Sequence, residues 1–310
     1  MIRRNTTRGA RTAVLMCALS ALAPSSALAQ YAAHHHPLQH LAAPDAVGLV
    51  RVDMAAVRAQ GMLDLVAPPV GDATGAEAVK RAAVRAIAEN ASEVLLTMLP
   101  GGGDEPPVVG IARGTFGNVT LPPLAHGATE EVYRGFTLRS NEGMLGGFIG
   151  SQTFVLGDPA GVRAVIDRLT ERERGTGVTD PTLQQVATDV NLYAAPIAAA
   201  LRVDAAVRNE LPETLTDAGT VSSVGLELTV AGRNLNLRVA VGYATAAEAT
   251  AFARGATAAL REVRRSPEVR QLGIGPLLSS IRARARATVV TITARLRPAD
   301  VEALTRMAGH

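Results

Sequence analysis

Two segments of alternating apolar and polar residues, separated by a short turn, constrain the fold of this chain most strongly. Every second side chain in residues 224–230, and again in residues 235–241, is valine or leucine. The three residues between them, Ala231-Gly232-Arg233, have the composition of a tight turn. The pattern predicts a hairpin with one buried and one solvated face, which is typical of an antiparallel sheet covered by helices on one side.

Other segments extend this pattern along the chain and predict an α+β fold. Stretches with apolar residues at helical spacing are interspersed with short runs rich in valine, leucine and threonine. Helices are predicted near residues 76–91, 181–190, 246–265 and 268–280. Further strands are predicted at residues 46–52, 93–99, 108–113, 132–140, 144–156 and 288–296.

Two short motifs occur twice in the same order, which indicates an internal duplication. Arg51-Val52-Asp53 and Arg202-Val203-Asp204 each end a predicted strand with an aspartate that can cap a following helix. Pro159 and Pro298 each begin a predicted helix after a later strand. We predict two related repeats, each an antiparallel sheet with helices packed on one face. The alternative is coincidence in a chain rich in alanine, valine and arginine.

The duplication sets the predicted domain boundaries. The first α+β repeat is expected at residues 46–174 and the second at residues 182–310. The Gly- and Thr-containing segment 175–181 between them is predicted to be a linker.

Residues 1–29 have the features of a secretory signal peptide. Four arginines and no acid surround the start of an apolar run at residues 12–23, and Ala27-Leu28-Ala29 forms a small-residue cleavage site. The run is shorter than the ~20 residues that a membrane-spanning helix needs, so a retained anchor is the less favoured alternative, as is lipid attachment at Cys17. We expect an exported protein, periplasmic or secreted, with no transmembrane segment after cleavage. A flexible, histidine-containing leader is expected at residues 30–45.

Composition after cleavage excludes several classes of function. Loss of the four signal arginines leaves 27 basic and 28 acidic residues, so no net positive charge draws the chain to nucleic acid. The single cysteine, Cys17, lies in the signal, so the exported chain would have neither a disulfide nor a cysteine nucleophile. The scarcity of aromatic residues disfavours sugar-binding clefts. We expect no cofactor and no nucleic-acid partner.

The candidate metal ligands are His34, His35, His36 and His40. Their imidazoles could bind a divalent metal, but the predicted leader does not hold ligands in place, so a solvated leader is favoured. His126 is the histidine of the predicted folded body, and no Gly-x-Ser-x-Gly motif supplies a nucleophile for it. The sequence assigns no catalytic residue and favours a protein that is not an enzyme.

Arginines concentrate near the C-terminal end of the chain. Residues 254–306 contain eleven arginines and four acids, whereas residues 30–253 carry a net charge of −8. Three of these arginines occupy alternate positions of a predicted strand, and three more end a helix that is expected to pack nearby. Such a group can contact an anionic lipid surface or an envelope protein; the alternatives are pairing with the acidic segment and a solvated surface. The candidate contact residues are Arg261, Arg264, Arg265, Arg282, Arg284 and Arg286.

The layout as a whole resembles the uncharacterised exported bacterial proteins that are classed as domains of unknown function. The resemblance covers residues 46–307, and the motifs that carry it are Arg51-Val52-Asp53 and Arg202-Val203-Asp204. It implies an envelope location and a duplicated α+β fold, and it supplies no functional residues.

Three classes of function remain open at this point. A non-catalytic cell-envelope protein with a binding or scaffolding role is favoured, because the sequence has no catalytic motif. A periplasmic carrier of a lipid or another hydrophobic ligand is the first alternative, since an antiparallel sheet against helices can enclose an apolar cavity. A hydrolase is the second, and it would need a site assembled from scattered carboxylates.

Overall fold

The computed structural model describes residues 38–300, except for 70, 72–73, 102–105, 120–128, 142, 171–176, 209–218 and 267–274. The predicted signal peptide and most of the predicted leader therefore lie outside the described residues. The described chain divides into two compact units. Unit 1 contains the residues up to Ala46 and Val52–Thr179, and unit 2 contains Val47–Arg51 and the chain from Asp180 onward. The first strand, β1 (Gly48–Asp53), contributes its residues up to Arg51 to unit 2.

Unit 1 is built on an antiparallel sheet. Its described strands follow the order β2-β3-β7-β6-β5-β4, and all neighbouring pairs are antiparallel. The predicted pairing of residues 93–99 with residues 108–113 is confirmed. The strands are β2 (Ala91–Met98), β3 (Val108–Gly114), β4 (Thr129–Tyr133), β5 (Phe136–Asn141), β6 (Met144–Ile149) and β7 (Thr153–Gly157).

Two segments that the sequence predicted as single strands each form two strands. Residues 132–140 turn back at Arg134 and Gly135, which have φ angles of 53° and 82°, so that Tyr133 pairs with Phe136. Residues 144–156 turn after Ile149, which pairs with Thr153. Each turn contains a glycine at positive φ, Gly135 and Gly150, which is a turn signal that the predicted single strands did not take into account.

Two helices of unit 1 begin where the sequence places a capping aspartate. The Asp53 carboxylate accepts a hydrogen bond from the Ala56 backbone N–H at 2.8 Å, and the Asp158 carboxylate accepts one from Gly161 at 3.0 Å. Both caps confirm the prediction. The helices are a 3-10 helix (Leu38–Leu41), α1 (Met54–Ala59), α2 (Leu63–Val66), α3 (Gly75–Asn90) and α4 (Pro159–Thr170).

Helix α4 packs directly onto the sheet of unit 1. Apolar residues at helical spacing predict a stripe of Val162, Val165, Ile166 and Leu169; the first three are buried, and Leu169 is half-buried. Gly161 allows this close approach, because a Cβ atom there would lie 2.3 Å from Cγ2 of Val109. The first turns of α4 therefore lie against β3, and this contact positions the cavity described below.

Unit 2 is also built on an antiparallel sheet, and the predicted hairpin forms its centre. Its described strands follow the order β11-β12-β10-β9-β8-β1. Leu235 pairs with Val230 across the predicted turn, and Val241 pairs with Val224. The remaining strands are β8 (Ile197–Arg202), β9 (Val221–Ala231), β10 (Asn234–Tyr243), β11 (Arg282–Arg286) and β12 (Val289–Leu296).

The described helices of unit 2 are α5 (Pro181–Asp189), α6 (Ala205–Arg208), α7 (Ala246–Val263) and α8 (Gly275–Ser280). They correspond to the predicted helices near residues 181–190, 246–265 and 268–280; residues 268–274 of the last one lie outside the described residues. Within the described part of the chain, no helix combines the length and the apolar character needed to span a bilayer.

The prediction that helices pack on one face of each sheet is wrong for unit 2. Val224 and Val241 share one face, and Val241 packs in a cluster with Ala249 and Ala253 of α7. Gly225, which pairs with Ala240, lies on the other face, where a Cβ atom would come within 2.8 Å of the side chains at the end of α5. Small residues on the supposedly solvated face thus provide a second helix-packing surface. The mixed α/β class and the antiparallel sheet are as predicted.

Candidate functional site

The candidate contact arginines of β11 lie on an edge strand of unit 2. Arg282, Arg284 and Arg286 are exposed and alternate with the half-buried Ala283 and Ala285. β11 pairs with β12 alone among the described strands, and Arg284 lies opposite Thr291. The strand forms because the alanines pack inward while the long, charged side chains stay in water. We call Arg282, Arg284 and Arg286 the β11 patch.

The β11 patch is not neutralised by acidic residues. The Arg282 guanidinium donates hydrogen bonds to the backbone carbonyls of Ser279 and Ile281. In the described structure, the guanidinium groups of Arg284 and Arg286 have no hydrogen bond or ion pair. The described structure therefore does not show the alternative in which all three arginines pair with the acidic segment of the sequence.

Arg261, Arg264 and Arg265 only partly join this patch. Ala285 packs on the cluster that includes α7, so Arg284 and Arg286 lie on the sheet face opposite that helix. Arg264 is half-buried, and its guanidinium donates to the carbonyl oxygens of Leu278 and Ile281 at 2.7–3.1 Å. It caps the C-terminal end of α8, which is a structural role. Arg261 and Arg265 are exposed.

The sheet face beside the patch carries balanced charge further from the edge. Arg238 lies opposite Thr293, which in turn lies opposite Arg282. The Arg238 guanidinium pairs with Glu227 at 3.7 Å, and the Glu227 carboxylate also accepts a hydrogen bond from Asn191 at 3.0 Å. Exposed arginines of this face without a described acidic partner therefore lie on the two outer strands: Arg282, Arg284 and Arg286 on β11, and Arg295 on β12.

The structure describes one of the four candidate metal ligands. His40 lies half-buried in the 3-10 helix, whereas His34, His35 and His36 lie outside the described residues. His126 also lies outside them. Among the residues that the structure places, no group of three His, Cys, Asp or Glu side chains is arranged to hold a metal ion.

Several carboxylates of the described chain are bound to neighbouring side chains. The Asp167 carboxylate accepts a hydrogen bond from the Tyr133 hydroxyl at 2.9 Å and forms an ion pair with Arg134 at 2.9 Å. The Asp300 carboxylate is almost fully buried and binds Arg297 at 2.9 Å, which together with the Arg297 backbone N–H lowers the pKa of Asp300. These are structural ion pairs rather than pairs of acids poised for catalysis.

Sequence reasoning missed the role of the charged residues at the end of α4. Acids that alternate with arginines at the end of a helix are typical of a solvated face, and this local pattern predicts no specific contact for them. Instead, Asp167 binds Tyr133, and the half-buried Arg168 donates a hydrogen bond to the Leu41 carbonyl, 127 positions away. Burial lowers the pKa of Arg168, and Asp45 and Asp167 partly oppose this effect. No local signal could have shown these contacts, because their partners are remote in sequence.

The fold of each unit, an antiparallel sheet with packed helices, defines a mixed α/β protein, and the comparisons with known proteins agree at this level. No family model and no curated protein matches the chain. Among solved structures it is similar to TP0453. Crystal form I gives a TM-score of 0.51 at 10% identity, covering 88% of this chain and 97% of that one. Crystal form III gives 0.50 at 10% identity, covering 86% and 96%. At this identity the similarity shows the fold alone.

Proposed function

We propose that this chain is an exported, non-catalytic protein of the bacterial cell envelope that binds an anionic surface through the β11 patch. The exposed and unpartnered guanidinium groups of Arg284 and Arg286 on an edge strand are the observation that carries the proposal. The signal-peptide pattern of residues 1–29 supports the envelope location. The binding partner is an anionic lipid surface, and an acidic envelope protein is the alternative.

The physical basis of the proposal is additive electrostatic attraction. Each arginine close to an anionic lipid layer contributes about 1 kcal/mol, and salt screens this attraction within a Debye length of about 8 Å at physiological ionic strength. Arg284 and Arg286 give up no ion pair when they bind, because neither has one in the described structure. Their contribution to binding therefore carries no compensating loss inside the protein.

The test compares two variants with the same change of charge. The double variant Arg284→Gln, Arg286→Gln should weaken binding to vesicles that contain phosphatidylglycerol by about 30-fold, which corresponds to about 2 kcal/mol. The control variant Arg233→Gln, Arg254→Gln removes two other exposed arginines of unit 2 and should have a much smaller effect. Vesicle co-sedimentation at low and high salt measures the binding of the unchanged protein and of both double variants.

Three outcomes contradict the proposal. The first is equal weakening by the two double variants, which would mean that net charge rather than the β11 patch determines binding. The second is binding of the unchanged protein that is insensitive to salt, and the third is no binding to anionic vesicles at all.

The carrier of a hydrophobic ligand remains the second candidate function, because part of the apolar face of the hairpin is accessible. Leu226 is 39% exposed, and Leu228 and Leu237 beside it are half-buried. Native mass spectrometry distinguishes this candidate from the first, because a carrier should retain a lipid during purification. The hydrolase gains no support from the described carboxylates, such as Asp167 and Asp300, which bind arginines.

We also propose that the two units arose by duplication. Asp53 and Asp204 each follow a strand, and each accepts a hydrogen bond from the backbone N–H of the third residue beyond it, at 2.8 and 3.0 Å. The second pair of motifs differs in detail. Asp158 caps the helix that begins at Pro159, whereas before Pro298 the backbone N–H of Arg297 donates to Asp300. Superposition of β1 and α1 on β8 and α6 is the sharpest test of the duplication.

A further inference from the structure

Unit 1 contains a cavity between its sheet, the N-terminal half of α4 and the segment that follows the 3-10 helix. Its volume is about 260 Å³, and it is partly open to solvent. Leu41, Leu99, Val109, Ala160 and Ala164 form much of its apolar wall. This volume is slightly below the about 300 Å³ at the lower end of pockets that bind drug-sized ligands, so the cavity suits a small organic molecule.

The cavity contains a cation with spare hydrogen-bonding capacity. Arg168 lines it, and the structure gives its guanidinium one described acceptor, the carbonyl oxygen of Leu41. A guanidinium carries five N–H donors in a planar fork, which suits a carboxylate. Asp45 lies exposed at the same cavity, and its charge acts on Arg168 without a direct ion pair between them.

The cavity wall also contains an unsatisfied hydroxyl group. Thr97 is 2% exposed, and its Oγ1 atom is buried without a hydrogen-bond partner. Buried polar groups in native proteins are normally paired, so this hydroxyl requires an explanation. Thr97 is one of the residues that line the cavity, so a molecule bound there is a candidate partner for this hydroxyl.

We propose that this cavity binds a small carboxylate with a short, branched apolar body. The carboxylate accepts hydrogen bonds from Arg168 and from the Thr97 hydroxyl, and the apolar body packs on Leu99, Val109 and Ala164. Three separate features support this assignment: an apolar wall of suitable size, a half-buried cation and an unpaired hydroxyl. The site lies within unit 1, so it is independent of the β11 patch, and either proposal can fail without the other.

The experiment uses 4-methylpentanoate as the probe and its amide as an uncharged control of the same shape. Calorimetry or saturation-transfer NMR with the purified protein should detect the acid at about millimolar concentrations, with the amide binding at least about tenfold more weakly. Arg168→Gln should weaken binding of the acid by about 10- to 100-fold, which is typical for loss of a hydrogen bond to a charged group. Arg163→Gln, on the same helix but paired with Glu131 outside the cavity, should leave binding unchanged.

Two further variants keep the test valid if Arg168→Gln destabilises unit 1. Thr97→Val removes the unpaired hydroxyl with little change in volume, so it should reduce binding of the acid several-fold while the midpoint of thermal unfolding stays the same or rises. Ala164→Leu fills the cavity and should abolish binding. Equal binding of acid and amide, no binding of either, or binding that is unaffected by Ala164→Leu would each overturn the proposal.

Discussion

Gly225→Ala tests whether α5 packs on the second face of the unit 2 sheet. The added Cβ atom would lie 2.6 Å from Cγ1 of Val190 and 2.8 Å from Cγ2 of Val186. Ordinary carbon contacts are about 3.5–4.0 Å, so one of these groups must move by about 1 Å. Neither valine has free space, because Val190 is 0% and Val186 1% exposed.

The expected loss of stability follows from two opposing effects. Overpacking of a buried site costs about 1–3 kcal/mol, whereas replacing a strand glycine by alanine gains about 0.5–1 kcal/mol. We therefore expect a net loss of about 1–2 kcal/mol in the free energy of unfolding. Urea denaturation followed by circular dichroism should show this as a decrease of about 0.5–1 M in the midpoint.

Gly255→Ala is the matched control for this substitution. Gly255 lies exposed in α7 of the same unit, and a methyl group added there would have no atom within 4 Å. The same change should therefore raise stability by about 0.5–1 kcal/mol at this position. If Gly225→Ala were neutral or stabilising while Gly255→Ala behaved as expected, the packing of α5 against β9 would be refuted.

Two further predictions concern export and titration. Mass spectrometry of the protein from its native envelope or medium should give a chain that begins at Gln30, and retention of Met1 or acylation at Cys17 would contradict export with cleavage. Burial, followed by the charge of Glu248, raises the pKa of Tyr243 to about 12. Because the native state then holds the phenol proton more tightly than the unfolded state, stability should be unaffected by this group below about pH 10 and should fall between about pH 10 and 12. Absorbance titration of the unchanged protein and of Tyr243→Phe measures the raised pKa of Tyr243. Identical stability of the two proteins between about pH 10 and 12 would exclude this raised pKa.

Local sequence signals predicted the elements of the fold well, because their causes are local. The capping carboxylates of Asp53 and Asp158 act on residues three positions away, and the register of the hairpin follows from the turn at residues 231–233. The packing of α5 was not predictable in the same way. Gly225 and Ala240 look like a solvated face in the sequence, and only the position of Val186 and Val190 shows that they are buried.

The β11 patch and the cavity of unit 1 also differ in how far the sequence predicts them. Alternation in residues 282–286 was sufficient to place three arginines on one strand face, because side-chain direction in a strand has a period of two. The cavity of unit 1 could not be found in this way. Arg168, Thr97 and Leu41 come from a helix, a strand and a segment near the start of the described chain, and each has an ordinary local sequence.

The place of β1 in the chain affects the order in which the protein can fold. Residues 47–51 belong to unit 2, although residues 52–179 of unit 1 separate them from the rest of that unit. The Arg51 guanidinium reaches the Ala195 carbonyl at 3.1 Å across 144 positions. Closing such a long loop adds little to the equilibrium cost, since that cost grows only with the logarithm of length, but contacts so distant in sequence form slowly. In a chain that is synthesised from its N-terminus, unit 1 can therefore form before residues 47–51 have the rest of unit 2, from residue 180 onward, to pair with.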